Sequence, residues 1–508
     1  MARAEICIIG AGAAGITLAR EFIGQPFRVA LIESGGFEFD LATQELYGGS
    51  NIGHDYIPLD QARLRYFGGT TNHWGGNCLP IRPMNFEPRP WIPFSGWPIT
   101  WTQLLPFYRR AHDVIGLGEF DYDPSHLSAK LGKALFPFDP SRFETVFSRY
   151  RALRFGEEFK EAIGQAENVT TYLYANVLPI ERNSETDSVA QVTVATLAGK
   201  RYTVQARYFV LAVGGIENAR LLLLSNNVQA AGLGNQNDLV GRFFMEHIWY
   251  PSGSIIPVDQ STELDVYEHQ HSIGDDVEVR AHLALPEDVV RREQIPDFRA
   301  EIGASQLSPE SFSWSHIVRC LRTKDRALEC MKHLGAYVVG MLAEMGGRLG
   351  QPSEGGGVKY RLNNYVEQIP NPESRVTLSD EKDALGLRRV HLKWQLSDLD
   401  KYGIRRAHEL LALEVGRSGF GRLRFELPDH EEEILHGAGG GNHHLGTTRM
   451  SDDPKTGVVD ADCRLYGLHN LYVAGSSVFP TGGSANPTLT IVALSLKLAD
   501  HLKAKFRT

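Results

Sequence analysis

The sequence predicts an α/β plus α+β chain: a split, Rossmann-like dinucleotide-binding domain with a second lobe built on antiparallel sheet. Three observations carry this. A GxGxxG stretch lies between an apolar run and a helical run near the N-terminus, and buried-strand text resumes at 168–215 and again at 471–474. Long alternating runs such as SRVTLS and RRVHLKWQL occupy the region 246–429.

Composition narrows the function. At 508 residues, 42% hydrophobic and 22% charged, the chain can bury a large core. A formal net charge of −9 argues against a nucleic-acid partner and supplies no basic stripe for an anionic membrane. No run reaches about 18 apolar residues, so no integral membrane segment is expected. The five cysteines, Cys7, Cys78, Cys320, Cys330 and Cys463, are scattered and form no CxxC pair. That usage points to a reducing, cytoplasmic setting. The opening MARAEICIIGAG already reads as a core strand, so no signal segment is expected before it.

Glu5 to Ile9 is a short apolar strand, followed by Gly10-Ala11-Gly12-Ala13-Ala14-Gly15 and the helical run Ile16 to Phe22. Gly10 makes the tight turn, Gly12 lets a diphosphate approach the backbone, and Gly15 lets helix and strand pack closely. Phe27 to Ile32 is a second buried strand ending at Glu33, about 20 residues beyond the middle glycine, where a carboxylate accepts from adenosine ribose hydroxyls. An NAD-dependent dehydrogenase would continue directly with strand and helix. Here a Gly-, Asp- and Asn-rich stretch follows, then Arg65-Tyr66-Phe67-Gly68-Gly69-Thr70-Thr71-Asn72-His73-Trp74-Gly75-Gly76. A second glycine-rich segment dense in hydrogen-bonding side chains suits an extended flavin, so FAD is the expected cofactor.

Residues 86–154 carry Pro and Trp turns and mixed helices, and 168–215 reads as a β-meander returning to the dinucleotide sheet, with the helix IENARLLLLSNN behind it. At the far end, GAGGG (437–441) leads into Asn442-His443-His444-Leu445-Gly446-Thr447-Thr448-Arg449-Met450. Leu471 to Ala474 is a buried strand ending at Gly475-Ser476. Asn486-Pro487-Thr488 then opens an apolar helix with proline at its first position and Asn486 as a cap. The expected division is FAD domain at 1–85, 155–245 and 430–508, a cap segment at 86–154 and a substrate lobe at 246–429.

With GAGAAG, Glu33, RYFGGTTNHWGG, LVGRFFMEH, NPESRVTLS and HHLGTTRM through NPTLT on the page, the chain resembles the glucose-methanol-choline (GMC) flavoprotein oxidoreductases. Its closest likeness there is to pyranose oxidases and bacterial glycoside 3-oxidases or 3-dehydrogenases. The resemblance is strong at both ends and loose in the middle. It implies FAD-dependent oxidation of a CH–OH group, with a sugar or glycoside secondary alcohol as substrate and oxygen, a quinone or another carrier as electron acceptor. A non-sugar alcohol, or a flavin-bearing lyase reaction of the same family, is the alternative. The long N-terminal motif of glucose oxidase and choline dehydrogenase is replaced here by the TTNHW form, so the substrates of those enzymes do not carry across.

Alcohol oxidation by a flavin needs one base for the hydroxyl proton and one group that holds the alkoxide. His443 and Asn486 match those roles, with His444 pointing to the other side of an extended backbone. The competing reading is two structural histidines and a simple helix cap. Reduction is expected to fall below the imidazole pKa, because a charged ring cannot take the proton. His73 matches a pyranose oxidase histidine that is bonded to the flavin 8α-methyl; packing beside the dimethylbenzene ring without a bond is the other reading. Gly75 departs from the threonine of that motif, which weakens any carry-over of reactivity toward oxygen. The remaining expected FAD contacts are Gly69, Thr70, Asn72, Gly75, Val177, Ala212, Gly475, Ser476, Asn486 and Thr488, the last at a helix N-terminus aimed at the flavin. His247 reads as a hydrogen-bonded structural histidine or a pocket-lining one, Trp74, Trp91, Trp97 and Trp101 as lobe packing or a stacking surface for a sugar, the apolar stretch Met331 to Gly347 as a core helix, a channel wall or a membrane-surface loop, and Arg375 as a turn-to-strand residue.

Overall fold

The computed structural model describes residues 2–183, 185–259, 261, 264–303, 359–425 and 438–507. Cys320, Cys330 and the stretch 331–347 lie outside them. The first core is a parallel sheet of five strands in the order Leu471–Val473, Tyr208–Leu211, Ile6–Ile9, Val29–Ile32, Val169–Tyr172. Ile6–Ile9, Val29–Ile32 and Tyr208–Leu211 are buried at every position, which is why they read as unbroken apolar runs rather than alternating ones.

Helix Ala13–Glu21 crosses between the first two strands. The third strand in chain order arrives only at Val169, so the dinucleotide fold is interrupted for more than a hundred residues after Glu33. The sequence reading ran Val169–Tyr172 into the meander, and the structure corrects this. Helix Phe155–Gln165, with Phe155, Phe159 and Ile163 buried along one face, supplies the crossover that a parallel strand requires. The meander itself is confined to Asn176–Val177, Gln191–Ala195 and Arg201–Gln205, paired antiparallel.

The second sheet is antiparallel along its main path: Gly421–Phe425, His247–Pro257, Tyr360–Glu367, Phe298–Gly303, Val277–Ala284, Glu144–Tyr150 and Asn77–Cys78. One face buries Ile248, Tyr250, Phe298, Ala300 and Leu362 in a core shared with Ile404, Ala407 and Leu411 of helix Asp398–Arg417. The alternate residues, among them Trp249, Glu301, Asn363 and Tyr365, turn toward a large cavity. Helix Trp101–Ile115 packs on helix Thr488–Lys505, while strand Glu144–Tyr150 joins the antiparallel sheet, so the stretch 86–154 serves both halves. Strands Arg375–Lys382 and Arg388–Lys393 pair with each other, and the second lies beside Gly49–Asn51. Arg375 is held there by a 3.0 Å bond to Asp238. Among the described residues, no helix is long and apolar enough to cross a membrane.

Candidate active site

A cavity of about 1640 Å³ runs from the carboxyl ends of the parallel strands to the polar face of the antiparallel sheet. Ordinary small-molecule pockets span roughly 300–1,000 Å³, so this one is large enough for an extended ligand and a second molecule. Its wall includes Gly10, Gly12, Glu33, Gly69, Thr70, His73, Gly75, Val177, Ala212, His443, Gly475, Ser476, Asn486 and Thr488, which sequence reasoning placed at one site from five separate stretches. Gly15 and Asn72 stand outside it. A Cβ on Gly15 would come 1.8 Å from the Gly10 carbonyl oxygen, so Gly15 acts by letting helix and strand touch. The Asn72 amide donates to the Phe67 carbonyl at 2.9 Å and braces the glycine-rich turn from behind.

The end of the cavity at the glycine-rich turn suits an anion. Gly10 has φ +102°, and a Cβ there would lie 2.5 Å from the Ala212 carbonyl oxygen, whereas one on Gly12 would enter open space. No side chain caps helix Ala13–Glu21, so its first N–H groups face the cavity. Glu33 is buried and accepts from the backbone N–H of Ala11 at 2.8 Å and of Gly35 at 2.9 Å. Burial pushes its carboxyl up, opposed by those two N–H groups and by Arg65. Each oxygen keeps a lone pair for a hydroxyl.

The end of the cavity where His443 and Asn486 stand depends on an irregular strand pairing. Met245 and Leu445 form a bridge, and Ile248 pairs with Gly440, so two residues on one strand oppose four on the other. Asn442, at φ +59°, makes the kink, a conformation asparagine tolerates better than most residues. The bulge leaves the His443 N–H without a ladder partner, and the buried Glu246 carboxylate accepts it at 2.7 Å. His443 thereby projects toward the cavity, with Nε2 3.3 Å from Asn486 Nδ2 and Nδ1 2.9 Å from His247 Nδ1. His444 turns away: its Nε2 lies 3.0 Å from the Tyr56 hydroxyl, which in turn donates to Glu246.

Asn486 is not a cap. Helix Thr488–Lys505 begins one turn position later than the sequence predicts, with Pro487 at the capping position and no side-chain cap. The Asn486 Oδ1 instead accepts from Arg299 Nη2 at 2.9 Å. The turn that carries Asn486 is gripped by two buried carboxylates. Glu367 accepts from Gly483 N and is paired with Arg89 at 2.6 and 2.7 Å; Asp297 accepts from Ser484 N and is paired with Arg82 at 3.0 Å.

His247, Glu246, Tyr56 and Arg299 are the members that sequence reasoning missed or, for His247, left between a structural and a pocket-lining role. For Glu246 and His247 the FMEH stretch was the signal, since charged and polar residues are rare inside so apolar a run, whereas Tyr56 and Arg299 carried none. The tryptophans behave as predicted in part: Trp97 and Trp91 donate to Thr481 and to the Ile295 carbonyl, while Trp74 lines the cavity and donates to Leu153. Trp249, unremarked in the sequence, also faces the cavity.

Burial, with His247, His444 and Arg299 adding to it, holds His443 well below the usual imidazole range. Burial also pulls His444 down to about 3 and lifts Glu246 to about 7. The sequence-based expectation of a fall near the ordinary imidazole pKa therefore moves to more acid pH, since burial keeps the ring neutral and able to accept below that pKa. A limb near pH 7 in the substrate-driven reduction rate would belong to Glu246. It is expected to vanish in Glu246→Gln, and persistence in that variant would reassign it.

The residues 370–495 match the family described as GMC oxidoreductase. Paromamine 6'-oxidase of Streptomyces fradiae is 26% identical across 97% of this chain and 90% of its own length. Over residues 370–495 the chain is similar to the GMC oxidoreductases. A C-glycoside 3-oxidase of Microbacterium trichothecenolyticum is 35% identical to this chain, over 25% of this chain and 24% of that one. The fold is shared with pyridoxine 4-oxidase from Mesorbium loti, at a TM-score of 0.61 and 19% identity over 98% of each chain.

Proposed function

We propose that this chain is a GMC oxidoreductase that binds FAD and oxidises a CH–OH group, with a sugar or glycoside secondary alcohol giving a keto sugar. The observation that carries the reading is the pairing of a neutral His443 with Asn486 on the wall of the cavity, at the head of an uncapped helix. The residues fit the cofactor. Gly12 and the Ala13–Glu21 N-terminus would receive the diphosphate, Glu33 the ribose, and Gly475, Ser476 and Thr488 the flavin end. Bound there, FAD supplies the acceptor for the carbon-bound hydride.

The chain's own work is proton transfer and placement. His443 Nε2 takes the hydroxyl proton, while the Asn486 amide donates to the same oxygen and holds the carbon in one orientation. The free N–H groups at Thr488 stabilise negative charge gathering in front of the helix. The names of two relatives, a paromamine oxidase and a C-glycoside oxidase, support a glycoside as substrate. Anaerobic bleaching of bound flavin against sugars, glycosides, polyols and aromatic alcohols tests the reading; no bleaching by any of them would overturn it. Reoxidation by oxygen or by a quinone then identifies the acceptor. A cytoplasmic setting accords with Cys7, Cys78 and Cys463, which are buried free thiols.

Two residues on the cofactor side give separate tests. Glu33→Ala is expected to weaken FAD retention by about 1.5–3 kcal/mol, the worth of a charge-assisted hydrogen bond, with normal reduction at high FAD. Unchanged FAD affinity would remove Glu33 from the site. For His73, acid-precipitated protein that stays yellow, with a tryptic peptide heavier by the mass of FAD, marks a covalent link, and flavin freed into the supernatant marks simple packing.

A further inference from the structure

We propose that His247 is a positioning residue: it holds His443 in the one neutral tautomer that can accept a proton, as the last member of a chain running Arg299, Asn486, His443, His247. The inference rests on His443 being the base proposed above. A guanidinium donates and never accepts, so the Asn486 atom 2.9 Å from Arg299 Nη2 is the amide oxygen. The Asn486 NH₂ must therefore face His443. Nε2 of His443, 3.3 Å from that NH₂, then presents a lone pair.

A neutral imidazole carries one proton, so the proton of His443 is on Nδ1. Nδ1 lies 2.9 Å from His247 Nδ1, and an N–H there needs an acceptor opposite. His247 Nδ1 is thus bare, and its own proton is on Nε2. That nitrogen is turned toward Gly482, where a Cβ would stand 3.3 Å away, and hydrogen bonding to the backbone of Gly482 and Gly483 favours a proton on the ring there. In the opposite tautomer, His443 Nε2–H would confront the Asn486 NH₂ donor to donor, and Nδ1 would have no proton to offer His247.

Burial keeps both rings neutral, with His247 drawn down to about 4. Arg299 is fully buried, and its guanidinium also reaches Ser148 at 2.8 Å and lies 4.9 Å from the centre of the Tyr365 ring. It therefore anchors the chain rigidly. The consequence is directional: the lone pair of the base always faces Asn486 and the cavity, and never the protein interior.

Asparagine can place an acceptor where His247 has Nδ1, whereas glutamine reaches the Nε2 position. In the holoenzyme, His247→Leu is expected to slow anaerobic flavin reduction by about ten- to a hundredfold, with substrate dissociation constant and FAD content nearly unchanged, since placement of the base and not binding is lost. His247→Asn should recover most of the rate, and His247→Gln should not. If the leucine variant does not fold, the Asn–Gln contrast carries the test alone. Reduction by the leucine variant at the wild-type rate, or equal rates for Asn and Gln, would overturn the proposal. A substrate-independent reading comes from ¹⁵N correlation spectra of ring-labelled histidines, with His443→Gln assigning the signal. The His443 resonance should show the Nδ1–H tautomer in the wild type and shift toward Nε2–H in His247→Leu. An Nε2–H signal in the wild type would refute the proposal even if no alcohol proved to be a substrate.

Discussion

Replacing His443 by alanine is expected to slow substrate-driven flavin reduction by about 10²–10⁴, the contribution of a positioned general base. The protein should keep its FAD, because His443 Nε2 faces Asn486 and not the diphosphate end of the cavity. His444→Ala should do far less, since its ring is turned to the Tyr56 hydroxyl. Raising the pH should partly restore the His443 variant, as hydroxide or a pre-ionised substrate replaces the base. Rapid-mixing traces decide the matter. A wild-type rate for His443→Ala with a dead His444→Ala would move the base by one residue, and full rates for both would remove the mechanism.

The second large effect lies in stability. Arg89 and Glu367 are both fully buried and bonded through two parallel contacts of 2.7 and 2.6 Å. Arg89→Met would leave the carboxylate charged and without its cation, at an expected loss of about 3–5 kcal/mol. Adding Glu367→Gln should recover part of that, because no bare charge then remains inside. Arg28→Met, which breaks an exposed pair with Glu5, should leave the denaturation midpoint almost unchanged. The measurement is the denaturation midpoint at one fixed FAD concentration, since bound ligand shifts it. An Arg89→Met midpoint equal to that of the wild type would show that the pair adds nothing net. Because Glu367 also accepts from Gly483, the same variant should loosen the turn that carries Asn486 and slow flavin reduction in the surviving folded protein.

The parts legible in the sequence are those whose constraint is local. Gly10 is dictated by its own φ of +102°, Gly15 by contact with the Gly10 carbonyl, and Glu33 by its place at the end of a strand. The parallel core announced itself because strands buried on both faces need apolar residues throughout. His443 and Asn486 were reached through the family resemblance. What the sequence hid is set by register: His247 meets His443 across a bulge, and Arg299 reaches Asn486 from a strand 187 residues away. Nothing in either segment alone specifies those meetings. Helix Phe155–Gln165 escaped notice for a simpler reason: Gly156 and Gly164 weaken its helical signal, although its buried face is regular.

The order of strands in the parallel sheet bears on how the protein is made. The innermost strand, Ile6–Ile9, leaves the ribosome some two hundred residues before its neighbour Tyr208–Leu211. That neighbour in turn stays uncovered until Leu471–Val473 has been synthesised. For most of translation, therefore, an apolar, fully pleated edge is waiting for a partner, which invites mispairing with other chains and favours protection by holding factors. The cofactor cannot relieve the situation early, because its wall takes residues from both the first and the last of these segments. Low culture temperature and slow synthesis should raise soluble yield more than extra riboflavin does.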